Sequence, residues 1–224
     1  MIHPPVDPWS SRRVVALAVM LGLGASIVLA QGSPAPVVVP VEREPQHRPV
    51  FENAVLAVLD VRFPPGYVSQ FHIHSNDNVS VRIETALARI DTLDATGVPQ
   101  TAAVGRVVFN SAAPPYTHRV ANVGETLIRI LDIEILARTP TRVTNTADAL
   151  AGHEVVVEND RVRLTRIVVA PGARLAAHAH PRGRLEVVVR GRVPGAFVWH
   201  EPGAATRMID AGASGGEVVE IEVK

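Results

Sequence analysis

The sequence predicts an all-β protein in which two related jelly-roll barrels follow an N-terminal export segment. Apolar residues make up 47% of the chain but aromatic residues only 4%, so the core must consist mainly of Val, Ile, Leu and Ala. The 16 glycines and 18 prolines divide these residues into short runs, which is typical of short strands joined by turns. The strand patterns also occur twice, which predicts a sandwich or jelly roll in duplicate.

The overall charge and the lack of cysteine exclude several classes of function. The 22 basic and 22 acidic side chains cancel, and no run of Lys or Arg stands out, which argues against a nucleic-acid partner. The chain has no cysteine, so disulfides and thiolate ligands are excluded. Any metal ion must therefore be held by nitrogen and oxygen atoms.

Residues 1–30 have the pattern of a signal peptide. Arg12 and Arg13 precede the uncharged stretch 14–30, which ends at Ala30 in the small-x-small pattern that signal peptidase cleaves. We expect cleavage after Ala30 and a periplasmic or secreted location, with no membrane contact beyond this segment. An uncleaved anchor is the alternative, although 17 residues fall slightly short of the roughly 20 needed for a span. The arginine pair also resembles a twin-arginine export signal.

A linker rich in Pro and Val, residues 31–48, leads into two segments that align without a gap. The matched features share one offset of 106 residues: Glu52-Asn53 with Glu158-Asn159, Pro65-Gly66 with Pro171-Gly172, and His72-Ile73-His74 with His178-Ala179-His180. A constant offset across separate features predicts an internal duplication. We place the first barrel at residues 49–140 and the second at 141–224, with a short helix-like connector at 145–151.

Within each copy, apolar and polar residues alternate in the manner of half-buried strands. In the first copy, Val79, Val81 and Ile83 alternate with polar residues after the histidines. Each copy closes on a similar strand, at 127–134 and 218–223. We therefore expect Val79, Val81 and Ile83 to face the interior of the first barrel.

Three histidines of the first copy have a spacing that suits a metal site. His72 and His74 are two residues apart, so on a strand both side chains project to the same face. His118, from a neighbouring strand, can complete a set of three nitrogen atoms that leaves coordination positions open. The sequence therefore predicts a divalent metal site at these three residues.

The same residues resemble the two motifs of the cupin superfamily. Gly66 is followed after five residues by His72-x-His74, and His118 is followed after three residues by Asn122. The resemblance covers residues 50–224 and implies small jelly-roll barrels that bind a divalent ion, typically through three histidines and one glutamate. Nitrogen-rich sites accept several first-row metals, so Fe, Mn, Ni and Zn all remain candidates.

The glutamate of the first motif is missing. It should fall at residue 78 or 79, which are Asn78 and Val79, and the alternation predicts that Val79 faces inward. Asp77 is the nearest acidic residue and is a candidate ligand. It could instead hydrogen-bond a ligand imidazole or cap the turn. The preferred picture is a three-histidine site completed by water.

The second copy retains less of the motif. Its site positions hold, in chain order, His178, His180, Arg184 or Leu185, Thr206 and Asp210. Because Arg182 and Arg184 beside two imidazoles make a poor cation site, we expect a structural barrel with a residual pair of histidines. His200 could supply a third nitrogen. The remaining histidines have no partner at a useful spacing: His3, His47 and His153.

The sequence supports function hypotheses of three classes. The first is a metalloenzyme, an oxygenase or isomerase, that acts on a small molecule in the mouth of the first barrel, with Tyr116 and Arg119 as candidate substrate-binding residues. The second is a non-enzymatic module of the cell envelope that binds a small molecule or a metal. The third is a structural protein without metal, in which apolar barrel faces mediate a homodimer. The fold itself names no substrate.

Overall fold

The computed structural model describes residues 35–137, 153–205, 209–210 and 212–224. The predicted signal peptide (1–30), the predicted connector (145–151) and Thr206 lie outside these residues. Strands dominate the described residues, none of which belongs to a helix long and apolar enough to cross a membrane. The all-β prediction is confirmed.

The first half forms a jelly roll of ten strands. They are β1 (Val38–Pro40), β2 (His47–Glu52), β3 (Leu56–Phe63), β4 (Phe71–His74), β5 (Asn78–Arg82), β6 (Ala86–Asp91), β7 (Gln100–Ala102), β8 (Val107–Asn110), β9 (Tyr116–Asn122) and β10 (Ile128–Ile135). One sheet has the order β1-β4-β9-β6-β7 and the other the order β2-β3-β10-β5-β8. Apart from the neighbours β2–β3 and β6–β7, consecutive strands lie in different sheets, which brings residues distant in sequence side by side.

The second half repeats the β2-β3-β10-β5-β8 sheet of the first. Its strands are β11 (His153–Glu158), β12 (Val162–Val169), β13 (Arg174–Leu175), β14 (Arg184–Arg190), β15 (Phe197–His200), β16 (Ile209–Asp210) and β17 (Gly216–Val223). The large sheet has the order β11-β12-β17-β14-β15, and β13 pairs with β16. Asp210, predicted to stand opposite Asn122, lies in β16, where its backbone pairs with that of Arg174.

The duplication is visible in the strand registers. Equivalent residues pair across β2–β3 and β11–β12, as His47–Val61 and His153–Ile167. A bulge interrupts both pairs at the same place, 49–51 in the first half and 155–157 in the second. Because a register and a bulge recur at one offset, the two halves are copies of one structural unit.

The closing strands β10 and β17 are equivalent as well. Asp132 of β10 pairs with Leu59 of β3, and Glu220 of β17 pairs with Thr165 of β12. Since Leu59 and Thr165 are 106 residues apart, Asp132 corresponds to Glu220. By the same register Glu134 corresponds to Glu222. An acidic pair spaced two residues apart therefore occurs on the closing strand of both copies.

One sheet of each half packs against the other through a shared apolar core. These are the sheets β2-β3-β10-β5-β8 and β11-β12-β17-β14-β15. β3, β5 and β10 contribute to the core from one half, and β12, β14 and β17 from the other. Its fully buried members include Leu131, Ile133, Leu164, Leu185 and Ile221. On these strands, one set of alternate residues faces the other half, and the second set faces the interior of its own barrel.

This shared core corrects the predicted inward face of β5. Val79, Val81 and Ile83 belong to the core between the halves, whereas Asn78 and Arg82 line the cavity of the first barrel. The prediction that Val79 faces that interior was wrong. Because the sheet is buried on both faces, the alternation does not tell which face is the inner one.

The predicted linker, residues 31–48, contributes to the fold from Val38 onward. β1 pairs in parallel with β4, which places Val39 opposite His72. Val41 is buried in a second apolar cluster, and His47 at the start of β2 is only 5% exposed. The first barrel therefore begins about ten residues earlier than the sequence predicted.

Candidate metal centre

Three histidines of the first barrel converge as the sequence predicted. β4 and β9 are antiparallel neighbours, with His72 opposite His118. The three ring centroids lie 4.6 to 5.3 Å apart. One potential ligand nitrogen from each of His72, His74 and His118 lies within 4.8 Å of the others, so a single ion could contact all three.

Hydrogen bonds orient two of these rings. His72 Nδ1 lies 3.0 Å from the carbonyl oxygen of Gln70, and His74 Nδ1 lies 2.8 Å from Glu134 Oε1. Because a carbonyl or carboxylate oxygen can only accept, each Nδ1 carries a proton in these hydrogen bonds, and the neutral form of each ring then has its lone pair on Nε2. Both Nε2 atoms are buried and have no hydrogen-bond partner among the described residues. Such a pair of buried acceptors fits a metal ion.

Two carboxylates of β10 lie beside the histidines. Asp132 and Glu134 are 5% and 4% exposed, and Asp132 Oδ2 is 3.9 Å from His74 Nδ1. Within the described part of the chain, Asp132 Oδ1 and Glu134 Oε2 are buried without a hydrogen-bond partner. His74, Asp132 and Glu134 thus form a second group of potential ligand atoms that shares His74 with the first.

Asn78 stands where the family motif has its glutamate. Its amide nitrogen lies 2.9 Å from Tyr116 Oη and 3.4 Å from Glu134 Oε1, and its oxygen accepts a hydrogen bond of 2.8 Å from Asn110. The side chain therefore holds its neighbours in position. The acidic side chains of the centre come instead from β10, which neighbours β5 in the sheet.

Burial and the neighbouring carboxylates shift the pKa values of the three histidines in different directions. Burial lowers the pKa of His72 to about 3, and burial lowers the pKa of His118 well below its usual value. Burial alone would lower the pKa of His74, but Glu134 and Asp132 outweigh burial and raise it. Burial also raises the pKa of Asp132 to about 6. His72 and His118 are consequently neutral at pH 7, as metal ligation requires.

A fourth histidine, dismissed at the sequence level, packs against the centre. The rings of His47 and His72 are 4.5 Å apart. His47 Nδ1 lies 2.8 Å from Glu44 Oε2, and Tyr67 donates a hydrogen bond of 2.7 Å to Glu44 Oε1. The prediction that His47 has no useful partner was wrong, because β2 brings it next to β4 across the barrel.

Asp77 has partners outside the centre. Its carboxylate forms a 2.7 Å ion pair with Arg161 of the second half and accepts a 2.8 Å hydrogen bond from the backbone of Ala112. Arg161 also donates to the carbonyl oxygen of Ala137. Asp77 therefore ties the two halves together, and its predicted role as a ligand finds no support in this arrangement.

The two candidate substrate residues lie on opposite faces of β9. Tyr116 lines the cavity, and its ring stacks on His74 with centroids 4.8 Å apart. Arg119 forms a 3.0 Å ion pair with Asp91 and lies over the ring of Phe71. The expectation that Arg119 contacts a substrate beside His118 was wrong, because adjacent residues of a strand project to opposite faces.

A cavity of about 240 Å³ adjoins the centre. Part of its wall is formed by His47, His74, His118 and Asp132, and part by the apolar side chains of Val61, Phe63, Ile90, Val108, Val120 and Ile130. Arg82 and Arg106 also line it. The volume corresponds to roughly eight water molecules, so the cavity suits a small ligand.

The second barrel contains a cluster at the equivalent place, but it is made of different residue types. His153, His178 and Glu220 bring potential ligand atoms within 4.8 Å of one another, and the rings of His153 and His178 are 5.0 Å apart. His180 lies 3.2 Å from Glu220 and 3.3 Å from Glu222. His153, dismissed in the sequence, thus occupies the place that His47 has in the first barrel.

Arginine side chains lie inside this second cluster. Arg184 is fully buried and forms a 3.2 Å ion pair with Glu220, and Arg182 forms one of 3.2 Å with Glu222. His200, expected as a possible third nitrogen, instead lies 3.2 Å from Glu186. Guanidinium groups thus stand beside both Glu220 and Glu222, which agrees with the expectation of a poor cation site.

Solved structures with this architecture have very different sequences. AerE from Microcystis aeruginosa matches with a TM-score of 0.57 and 10% identity, over 81% of this chain and 98% of its own. Oxalate decarboxylase from Bacillus subtilis matches with a TM-score of 0.52 and 13% identity, over 76% of this chain and 69% of its own. A cupin domain from Bordetella pertussis Tohama I is 28% identical over 40% of this chain and 92% of its own, with a TM-score of 0.36.

Sequence comparisons add nothing to this picture. No protein-family model matches the chain, and no curated protein matches it. The likeness to solved structures therefore concerns the fold, and the function has to be argued from the site itself.

Proposed function

The chain has the cupin fold, as two barrels in tandem, and on this premise we propose that its first barrel binds a divalent metal ion through His72, His74 and His118. The observation that supports this proposal most strongly is the pair of buried, unpartnered Nε2 atoms of His72 and His74 among the described residues. An imidazole acceptor buried without a donor is costly. A cation shared with His118 would remove that cost.

The difference between the two barrels also supports the proposal. In the second barrel, Arg184 lies 3.2 Å from Glu220 and supplies positive charge to the carboxylates of the closing strand. Asn78 occupies the equivalent position in the first barrel, so among the described residues His74 is the one basic side chain that forms an ion pair with Asp132 and Glu134. A bound divalent ion would supply the charge that the arginine supplies in the other copy.

A divalent ion held there would act as a Lewis acid or, if redox-active, as a one-electron centre. The residues of the chain do the remaining work. Gln70 and Glu134 fix the orientation of two imidazoles, and the unpartnered Oδ1 of Asp132 can accept a proton from a molecule in the cavity. We therefore extend the proposal to an enzyme of the oxygenase or isomerase type that acts on a small molecule.

Metal analysis tests the first part. The chain is purified from cultures supplied in turn with Mn, Fe, Ni and Zn, and bound metal is measured by mass spectrometry. Mn is included because Bacillus subtilis oxalate decarboxylase, which shares this fold, has Mn(II) centres. We expect about one ion per chain, lost in His118→Ala and retained in the control His178→Ala. Metal-free protein under every supply would overturn the proposal.

Measurements of enzymatic turnover test the second part of the proposal, that the protein is an oxygenase or an isomerase. Oxygen uptake by Fe(II)-loaded protein, and changes in the proton spectra of small-molecule candidates, would report an oxygenase or an isomerase respectively. Either activity should disappear in His118→Ala and persist in His178→Ala. Tight binding of a small molecule without turnover by any metal form would instead favour a non-enzymatic binding protein.

We also propose that the protein is exported and works outside the cytoplasm, which rests on the sequence pattern of residues 1–30. N-terminal sequencing of the mature protein, recovered from a periplasmic or secreted fraction, should begin at Gln31. A mature chain that still begins at Met1 would contradict cleavage and favour the uncleaved anchor.

A further inference from the structure

The cavity beside the metal centre contains an arginine that forms an ion pair with no carboxylate of the residues that the structure describes. Arg82 is the last residue of β5 and lines the cavity together with His74 and His118. Its Nη1 is buried and has no hydrogen-bond partner in the described part of the chain. No described carboxylate forms an ion pair with Arg82, although most other arginines of this barrel have one, such as Arg62 with Asp60 and Arg89 with Asp91.

A second arginine stands close to the first. Arg106 also lines the cavity, and its charge adds to burial in lowering the pKa of Arg82 to about 10. Arg82 is partly buried and Arg106 is exposed, so water screens part of the repulsion between their guanidinium groups, and an anion held between them would offset the rest. Among the described residues no acidic side chain pairs with Arg106 either, so this part of the chain does not supply the anion.

The rest of the cavity limits what the anion can be. Val108 and Ile130 belong to its apolar wall, while His74 and His118 stand at the metal centre. Roughly eight waters would fill the volume of about 240 Å³, which is below the usual range for drug-sized ligands. A small organic molecule with an apolar part and one anionic group matches these walls better than an inorganic anion does.

We infer that the first barrel binds a small organic carboxylate, whose carboxylate group pairs with Arg82 and Arg106 and whose apolar part lies along the cavity toward the metal centre. The position of the reacting end of the ligand rests on the proposed metal-binding function. The position of its anionic end rests on the two arginines alone. A planar guanidinium matches a carboxylate through two parallel hydrogen bonds. Arg82 would therefore determine specificity, and the metal centre would determine the chemistry.

The second barrel gives an internal comparison. The residue equivalent to Arg82, 106 positions later, is Val188. The cationic side chains of that barrel, Arg182 and Arg184, pair with the carboxylates of β17. Arginine thus balances the charge of acidic side chains inside the second barrel, whereas in the first barrel no described carboxylate forms an ion pair with Arg82 or Arg106, although Asp132 also lines the cavity.

Calorimetric titration with a matched series tests the inference. The probes are the carboxylates from acetate to hexanoate and the corresponding uncharged amides, added to metal-free and to Zn(II)-loaded protein. We expect the longer carboxylates to bind at least tenfold more tightly than their amides in both forms. Arg82→Gln should weaken carboxylate binding at least tenfold and leave amide binding and metal content unchanged. Arg82→Lys should retain part of the preference.

Arg62→Gln is the matched control, because Arg62 is paired with Asp60 and does not line the cavity; it should bind carboxylates as the wild type does. Equal binding of acids and amides, an unaffected Arg82→Gln, or no binding of any carboxylate would overturn the inference. A carboxylate preference that depends on Arg82 in a protein that takes up no metal would support the inference and refute the metal proposal. Metal content is measured on every sample, so the two failures are distinguishable.

Discussion

Arg184 of the second barrel and Asn78 of the first occupy equivalent positions, each paired across the sheet with the second residue of the acidic pair that the two closing strands share. Asn78 pairs with Glu134, and Arg184 with Glu222. Both side chains face the interior of their own barrel. At this position the first barrel therefore has a neutral amide and the second barrel a buried cation. This difference leaves the first barrel suited to bind a metal ion, whereas the second barrel carries its own positive charge.

The first prediction converts the second barrel toward the first. In a double variant Arg182→Asn and Arg184→Asn, each arginine becomes the residue found 106 positions earlier, Asn76 or Asn78. Removing the cations leaves Glu220 and Glu222 buried without them, so we expect a loss of about 3–5 kcal/mol in the free energy of unfolding of metal-free protein. Added Zn(II) should restore much of it through His153, His178 and Glu220.

Urea unfolding with and without Zn(II), together with metal analysis, checks this prediction. The metal content should rise from about one to about two ions per chain. The control is Arg190→Asn, because Arg190 lies near the end of β14, half exposed, and pairs with Glu217. A double variant that is destabilised equally with and without Zn(II) would show that the arginines do not take the place of a metal.

The second prediction concerns the carboxylate that orients His74. Glu134→Gln replaces the acceptor of the 2.8 Å hydrogen bond from His74 Nδ1 with a neutral amide that holds the ring less strongly. Loss of such a partner typically weakens metal affinity by about 10- to 100-fold. Competition with a chelator of known affinity measures the change. Glu222→Gln makes the same replacement in the second barrel and should leave the affinity as it is, and a similar loss in both variants would contradict the role given to Glu134.

The third prediction separates a structural from a ligand role for Asp77. Asp77→Asn removes the ion pair with Arg161, so we expect the free energy of unfolding to fall by about 1–3 kcal/mol. The metal content and the metal affinity should stay at their wild-type values, since the carboxylate points to the second half. A variant that unfolds normally but has lost its metal would restore the ligand role that the sequence suggested.

Most of the fold could be predicted because its signals are local in the sequence. Pro-Gly turns, alternating apolar residues and the 106-residue offset each require only short stretches of chain. The turns bear this out: Gly66 and Gly172 have positive φ values of 77° and 73°, a conformation that suits glycine. His72 and His74 could likewise be assigned to one face because they are two residues apart on one strand.

The missed residues reach the centre through non-local strand pairing. Glu134 lies 60 residues from His74, and only the placement of β10 beside β5 brings them together. The duplication itself, however, contains a further sequence signal that points to additional residues of the site. His47 recurs as His153 at the same offset as the motif histidines, and the acidic pair of β10 recurs on β17. Residues that match in both copies outside the recognised motif were therefore the best candidates for further members of the site.

The last prediction is a pH dependence of stability that comes from the second barrel. Hydrogen bonds to Glu220 and Glu222 raise the pKa of His180 to about 9. A histidine whose pKa is raised on folding stabilises the protein fully below its unfolded pKa of about 6.5 and loses this contribution as the pH rises. Burial would raise the pKa of Glu220, but His180 and Arg184 outweigh burial and lower it to about 2, so the contribution of Glu220 is lost below about pH 4.5.

Urea unfolding of metal-free wild type and His180→Gln at several pH values measures the contribution of this pair. The difference in the free energy of unfolding should be largest near pH 6, shrink steadily between pH 6.5 and 9, and shrink again as the pH falls below about 4.5. Arg119→Gln removes the ion pair with Asp91, which involves no histidine, and its difference from wild type should stay constant between pH 6 and 9. A His180→Gln difference that is also constant over that range would mean that the charged imidazole is not held by Glu220, and the second barrel would then depend on its arginines alone to balance the buried carboxylates of β17.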